Sequence, residues 1–249
     1  MSAQVALLAE GITKRYDGRT IIEDVSIALH PGELVCLLGV SGAGKTTLFH
    51  TLSGLETPEA GRVLLDGEDV TGRPGKISYM LQRDLLLPHK RVLDNVALPL
   101  VLRGERPAAA REKAQAYFAD FGLRGTERLW PAQLSGGMRQ RAALLRTFLG
   151  SRGVVLLDEP FSALDALTKR ELHGWYIDMM ERLRLTTLFV THDIDEAILL
   201  SDRVCILSGH PGKITAAFPI LPPRPRGLDF SLSGAFLDYK KQILSLLDA

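Results

Sequence analysis

Gly39-Val40-Ser41-Gly42-Ala43-Gly44-Lys45-Thr46 is the stretch that decides the fold, and the unbroken apolar run Leu34-Val35-Cys36-Leu37-Leu38 precedes it. Such a run between turn signals reads as a strand buried on both faces, as in a parallel sheet. A helical pattern follows from Lys45 to Gly54. Strand, G-x-x-x-x-G-K-[ST] turn and helix, in that order, make a phosphate loop. Its glycines let successive backbone N–H groups converge on phosphate oxygens, and the helix N-terminus adds partial positive charge. Lys45 supplies an ammonium for the β and γ phosphates, Thr46 offers its hydroxyl to Mg²⁺, and Thr47 joins the nucleotide-binding set. A plain glycine-rich turn before a capped helix is the competing reading, and the coincidence of full pattern and context disfavours it. The motif does not choose the base. The only asparagine, Asn95, is followed by Val96, so the Asn-Lys-x-Asp guanine reader is absent and ATP is favoured.

Val154-Val155-Leu156-Leu157 is a second fully apolar strand, ending in Asp158-Glu159. Ligands of open α/β sheets collect at the carboxyl ends of strands. Asp158 is placed to hold Mg²⁺, directly or through water, and Glu159 to polarise an attacking water. A polar strand end facing solvent is the alternative, and the phosphate loop upstream weighs against it. Thr187-Leu188-Phe189-Val190 is a third apolar strand, followed by Thr191-His192-Asp193. Alternation around Tyr16-Asp17-Gly18-Arg19 gives two strands and a turn in the first 30 residues, and residues 61–67 read as another strand. Helices are expected over 107–121, ended by Gly122, from about 135 to 149, and over about 166–183. Residues 83–104 read as loop and then an apolar stretch. The tail opens with Pro219, Pro222, Pro223 and Pro225 in extended chain and closes with an apolar helical pattern at Phe236, Ile243, Leu244 and Leu247.

The 249 residues carry 30 Lys+Arg against 29 Asp+Glu, a formal net charge of +1. That balance excludes a nucleic-acid binder built on bulk basicity. A hydrophobic content of 46% and a charged content of 24% describe a folded globular chain, long enough to bury a substantial core. Cys36 and Cys205 fall in apolar runs and read as core residues in a reducing compartment, with no disulfide. No secretory signal is visible, and no apolar run approaches the roughly 18 residues that span a bilayer. Attachment through a membrane-embedded partner stays open.

Leu134-Ser135-Gly136-Gly137-Met138-Arg139-Gln140-Arg141 resembles the signature of the ATP-binding cassette (ABC) family. On its own chemistry Ser135 is a helix cap whose hydroxyl, with the Gly137 N–H and the helix end, forms a second anion site. The other motifs stand in the family's order. Gln82 fits the Q-loop, Ser162-Ala163-Leu164-Asp165 the D-loop and His192 the switch histidine, while Tyr16 fits the aromatic that stacks on adenine. The resemblance covers nearly the whole chain. It implies an α/β P-loop NTPase with a mostly parallel core sheet, an N-terminal antiparallel β subdomain and an α-helical signature subdomain. It implies an ATPase in which Glu159, His192 and Gln82 are catalytic. Tyr16, Gly39, Val40, Ser41, Gly42, Ala43, Gly44, Lys45, Thr46, Thr47, Ser135, Gly136 and Gly137 would bind ATP. Thr46, Gln82 and Asp158 would hold Mg²⁺. It also implies a head-to-tail homodimer, the signature of one subunit closing on the γ-phosphate held by the other's phosphate loop, with Asp165 at the interface.

One set of motifs and no membrane span imply that motor and channel are separate chains. The stretch from Tyr79 to Val96 looks like the Q-loop region of the nitrate/sulfonate/taurine importer ATPases, and Leu221-Pro222-Pro223-Arg224-Pro225-Arg226 is similar to the tail of that subfamily. His89 stands where the subfamily often has an aromatic residue, and the C-terminal regulatory domain of sugar-importer ATPases does not follow. The implied function is the ATP-hydrolysing subunit of an importer for a small solute (sulfonate, taurine, nitrate or thiamine-precursor-like). The implied partners are two membrane permease subunits and, indirectly, a periplasmic or extracellular solute-binding protein, with no nucleic acid. The implied place is the cytoplasmic face of the inner (plasma) membrane, as a peripheral protein. An ATPase domain over 1–220, with a helical subdomain at about 83–150, and a short helical extension over 221–249 are expected. Two other classes compete. A soluble repair-type cassette needs a long coiled coil for which the span from Lys45 to Leu134 is too short, and ribosome-associated types carry two cassettes per chain. A small-molecule kinase leaves residues 134–137 and His192 unexplained.

Overall fold

A computed structural model of the protein describes residues 4–162 and 166–247, without the side chains of 166–168, 170 and 171. The strands β1 (Leu7–Tyr16) and β2 (Arg19–Leu29) pair antiparallel around Asp17 and Gly18, both at positive φ, as the alternation predicts. Next come β3 (Leu34–Gly39), buried throughout, and α1 (Lys45–Leu52). β4 (Ala60–Leu65) and the short β5 (Glu68–Asp69) complete an antiparallel sheet of order β2-β1-β4-β5. β6 (Ser78–Met80) begins the second sheet in space, and the helices α2 (Val92–Leu102), α3 (Pro107–Ala116) and α4 (Gly136–Gly150) follow it. Then come β7 (Val154–Asp158), α5 (Ala166–Leu183), β8 (Thr186–Val190) and α6 (Ile194–Leu200). The chain closes with the β9 (Arg203–Ser208) and β10 (Lys213–Pro219) hairpin and the helices α7 (Leu228–Ser231) and α8 (Gly234–Leu247).

The second sheet has the order β10-β9-β3-β8-β7-β6 and is parallel except at β10. Its central strands are apolar throughout because both faces are covered. Leu34, Cys36 and Leu38 of β3 pack with Val155 and Leu157 of β7 against α2, α4, α5 and α6. Val35, Leu37, Val154 and Leu156 point the other way, towards α1 and the antiparallel sheet. Each such side chain contributes roughly 1.5–3 kcal/mol by leaving water. Both cysteines are buried and unpaired, as expected.

One expectation about helices needs correction, and one apolar stretch proves to be helical. The helix beginning at Pro107 ends at Ala116, not at 121. Just past Ala116 two bonds tighten to i−3, Tyr117 N on Ala114 O at 3.2 Å and Phe118 N on Gln115 O at 3.1 Å, and Phe118 and Phe121 sit in the core before Gly122 turns the chain at φ 63°. The apolar stretch before residue 104 is a helix, α2, that contains Pro99. An interior proline costs about 3 kcal/mol, and burial of Val92, Val96, Ala97 and Leu100 offsets it.

Strand register sets up the site. Leu37 pairs with Val190, Val190 with Asp158, and Met80 with Leu157. The carboxyl ends of β3, β8, β7 and β6 therefore lie level along one edge, where ligands of such sheets collect. Among the described residues no helix is long and apolar enough to cross a membrane.

Candidate active site

The phosphate loop leaves β3 at Gly39 and enters α1 at Lys45. A Cβ on Gly39 would lie 2.4 Å from the Leu207 carbonyl oxygen of β9. One on Gly44, whose φ is 95°, would lie 2.5 Å from Ile22 Cγ2. Glycine is required at both places by contact, and at Gly44 also by backbone conformation. Val40, Ser41, Gly42 and Thr46 are exposed at the loop's mouth, and Ala43 is buried beneath it. Gly44 caps α1 with no side-chain hydrogen bond. The N–H groups of Lys45, Thr46 and Thr47 thus have no intrahelical acceptor and face the mouth together with the positive end of the helix dipole. Lys45 Nζ donates to Gly39 O at 2.8 Å and Val40 O at 3.0 Å. Burial lowers the Lys45 pKa, against the pull of Glu159 and Asp158.

Glu159 follows β7 at φ 47°, a conformation that stores about 1–3 kcal/mol of strain in a non-glycine residue. Its N–H donates to Val190 O at 3.0 Å, which fixes the turn against β8. Its carboxylate lies between two partners. Gln82 Nε2 donates to Oε2 at 2.8 Å, and His192 Nδ1 lies 3.3 Å from Oε1. Asp158 is buried and accepts from the Tyr79 hydroxyl at 3.1 Å. Burial raises the Asp158 pKa, with help from the Glu159 charge and against the Tyr79 hydrogen bond, His50 and Lys45. The Tyr79 hydroxyl is in turn pushed up by burial and by Asp158.

The structure thus brings together Gly39 to Thr47, Gln82, Asp158, Glu159 and His192. Tyr16, 40% exposed at the end of β1, donates its hydroxyl to Glu56. Burial and Glu56 push its pKa up to about 12, with the Thr47 hydroxyl acting in the opposite sense. Ser135 caps α4, its Oγ accepting from Met138 N at 3.2 Å, and Gly136 and Gly137 open that helix. Among the described residues no hydrogen bond or ion pair joins 135–137 to the phosphate loop. Asp165 lies outside the described residues. Tyr79 and Glu56 are site neighbours that the sequence reading missed. Reading residues 78–80 as a strand would have pointed to Tyr79, but nothing local marks Glu56.

Among the described residues no group of three or more His, Cys, Asp or Glu could hold a metal by itself. A magnesium site that borrows phosphate oxygens needs only one or two carboxylates. The hydroxyl of Thr46, the amide of Gln82 and the buried carboxylate of Asp158 form an all-oxygen donor set that fits such an ion.

A glycine-lined phosphate loop at the edge of a parallel sheet, faced by a strained carboxylate, defines a P-loop nucleoside triphosphatase. The family model described as ABC transporter matches residues 22–162. The formylaminopyrimidine import ATP-binding protein ThiZ of Halalkalibacterium halodurans is 48% identical over 77% of this chain and 74% of its own length. The aliphatic sulfonates import ATP-binding protein SsuB of Cupriavidus pinatubonensis is 41% identical over 96% of this chain and 77% of its own. A solved ATP-binding cassette, dimeric in a post-hydrolysis state with ADP and Pi bound, superimposes with a TM-score of 0.74 at 26% identity, over 89% of this chain and all of that one. The chain belongs to the ABC transporter family, as one of its ATP-binding, ATP-hydrolysing cassettes. The import relatives favour the importer reading over the soluble alternative.

Proposed function

We propose that this protein is the ATPase subunit of an ABC importer, and that Glu159, Gln82, His192 and Lys45 carry the chemistry. The observation behind this reading is the Glu159 carboxylate, held by Gln82 on one oxygen and faced by His192 on the other, at the edge of the phosphate loop. Lys45 leaves the Gly39 and Val40 carbonyls for the β and γ phosphates of ATP, whose oxygens also take the free N–H groups of the loop. Water attacks the γ-phosphorus and gives its proton towards Glu159, the bond to the β–γ bridging oxygen breaks, and its electron pair leaves with ADP. Gln82 orients Glu159, His192 contacts the γ-phosphate, and Tyr16 stacks on the base. Mg²⁺, held by Thr46, Gln82 and Asp158, would supply neutralisation of phosphate charge.

Two copies act together in this reading. The capped start of α4, with Ser135, Gly136 and Gly137, meets the nucleotide of the second copy. A triphosphate gripped by backbone amides from both subunits draws them into a closed dimer. The ATPase domain spans 1–220, with the helical subdomain at about 83–150, and 221–249 form the extension. Closure passes to two permease subunits through residues 82–102. Arg139 Nε bonds Asp84 at 3.2 Å and Arg146 Nη1 bonds Leu85 O at 2.8 Å, so that segment moves with α4. Beside it a groove of about 550 Å³, lined by Tyr79, Pro99, Leu102 and Arg103 among others, offers a seat for the membrane partner. The protein then resides peripherally on the cytoplasmic face of the membrane. The solute, delivered by a binding protein, belongs to the sulfonate, taurine, nitrate or thiamine-precursor class, in keeping with the import relatives.

Size measurement of the Glu159→Gln protein, with and without ATP, tests the engine. A nucleotide-dependent dimer is expected, and a strictly monomeric ATP-saturated form would sink the reading.

A further inference from the structure

The His192 side chain is 62% exposed, and its ring faces Glu159 at 3.3 Å. Among the described residues no buried side chain grips the ring, so its aim comes from the backbone on either side. Both flanking residues are tied down. Thr191 Oγ1 donates to Glu196 Oε2 at 2.6 Å and accepts from Asp193 N at 3.0 Å. Asp193 caps α6, its Oδ1 accepting from Asp195 N at 3.0 Å and Glu196 N at 3.2 Å.

Two of these ties end on Glu196, a carboxylate only 4% exposed. Its second oxygen faces α5, with Lys169 Nζ at 3.0 Å and His173 Nε2 at 3.5 Å. Lys169 also lies 3.6 Å from Asp193 Oδ2. Phe161 stacks edge-on against the His173 ring, with centroids 4.6 Å apart, and so closes the cluster on the side of β7. A buried carboxylate with one oxygen on a strand end and the other facing the Lys169 ammonium and the His173 ring is a joint between the end of β8 and α5. Removing one partner from such a joint is strongly destabilising. A carboxylate deployed only for stability would not have to lie directly behind an exposed functional residue.

We infer that Glu196 is a positioning residue for hydrolysis, locking the Thr191-His192-Asp193 segment to α5 so that the His192 ring stays aimed at Glu159. This inference rests on the proposed role of His192. It adds that α5, which starts just beyond the Glu159 turn, and the histidine cannot move independently. A displacement of about 1 Å at a reacting centre lowers rates by up to about 10²-fold.

The test is single-turnover hydrolysis by full-length Thr191→Val, Thr191→Ser, Glu196→Gln, His192→Ala and the Glu196→Gln/His192→Ala double variant. Thr191→Val and Glu196→Gln are expected to lower the rate about 10- to 100-fold with little change in ATP affinity. Thr191→Ser, which keeps the hydroxyl, should restore it. In the His192→Ala background Glu196→Gln should lower the residual rate no further, because both act through one side chain. If His192→Ala hydrolyses ATP undiminished, the His192 role fails and the inference goes with it. If His192→Ala is impaired but Thr191→Val keeps the wild-type rate, or the two losses multiply in the double variant, the inference alone is overturned. Thr191→Val carries the test even if Glu196→Gln does not fold.

Discussion

Gln82 Nε2 donates to Glu159 Oε2 at 2.8 Å across 77 positions of chain. The pairing of Met80 with Leu157 makes this possible, because it brings both residues off the ends of adjacent parallel strands. The amide fixes one carboxylate oxygen and leaves the other turned towards His192. The parts of the candidate site can be removed one at a time.

Glu159→Gln keeps the size and the hydrogen-bonding capacity of the side chain but removes the proton acceptor. Turnover should fall by about 10²–10⁴-fold while ATP binding persists. Steady-state hydrolysis and nucleotide binding on one preparation check this. Near wild-type turnover would take Glu159 out of the base role.

Lys45→Ala should act on binding. A charge-assisted hydrogen bond is worth about 1.5–3 kcal/mol, so ATP affinity should drop about 10- to 100-fold. Of the two carbonyls released by the lysine, that of Val40 lies at the exposed mouth of the loop and that of Gly39 at the buried end of β3, so a small loss of stability should accompany the loss of affinity. Equilibrium titration with ATP is the check, and unchanged affinity contradicts the loop assignment.

Ser135→Ala should lower stability by about 1 kcal/mol through the lost cap of α4 and should stop hydrolysis in the opposite subunit. Mixed dimers separate these effects. With Lys45→Ala on one chain and Ser135→Ala on the other, one composite site stays whole and activity remains. With both changes on one chain and a wild-type partner, both sites are damaged and activity is lost. The reverse pattern would show that each subunit completes its own site.

Glu196 makes stability depend on acidity. Burial alone would raise its pKa, but the attraction of His173, Thr191 and Lys169 prevails and lowers it from 4.5 to about 2. A folded-state pKa below the unfolded one stabilises fully above the unfolded value, and the contribution is lost as pH falls through the folded value. Wild-type protein should accordingly lose about 3 kcal/mol from this group between pH 5 and pH 2. Denaturant unfolding of wild type and Glu196→Gln over that range measures it. The gap between the two curves should close as pH falls, and a constant gap would contradict the assignment.

Much of this was legible in the chain. The runs at 34–38, 154–157 and 187–190 are the buried strands β3, β7 and β8, since burial on both faces writes itself as continuous apolarity. The helix expected over about 166–183 is α5. Short or partner-dependent elements were not legible. β6 is three residues long and exists only because β7 pairs with it. α6 spans seven residues, with its cap and its joint to α5 made by side chains that carry no periodic signal. α2 forms against the local preference of Pro99, because its apolar face is buried.

The residues themselves determined that a strand, a glycine turn and a helix would build a phosphate site, because each of those steps is governed by interactions within a few positions. Only the tertiary structure decided that Gln82 and His192 would meet the two oxygens of Glu159, and that Glu196 would stand behind His192. Those meetings depend on the register of strands far apart in the chain, which packing of the whole core fixes and no local preference encodes.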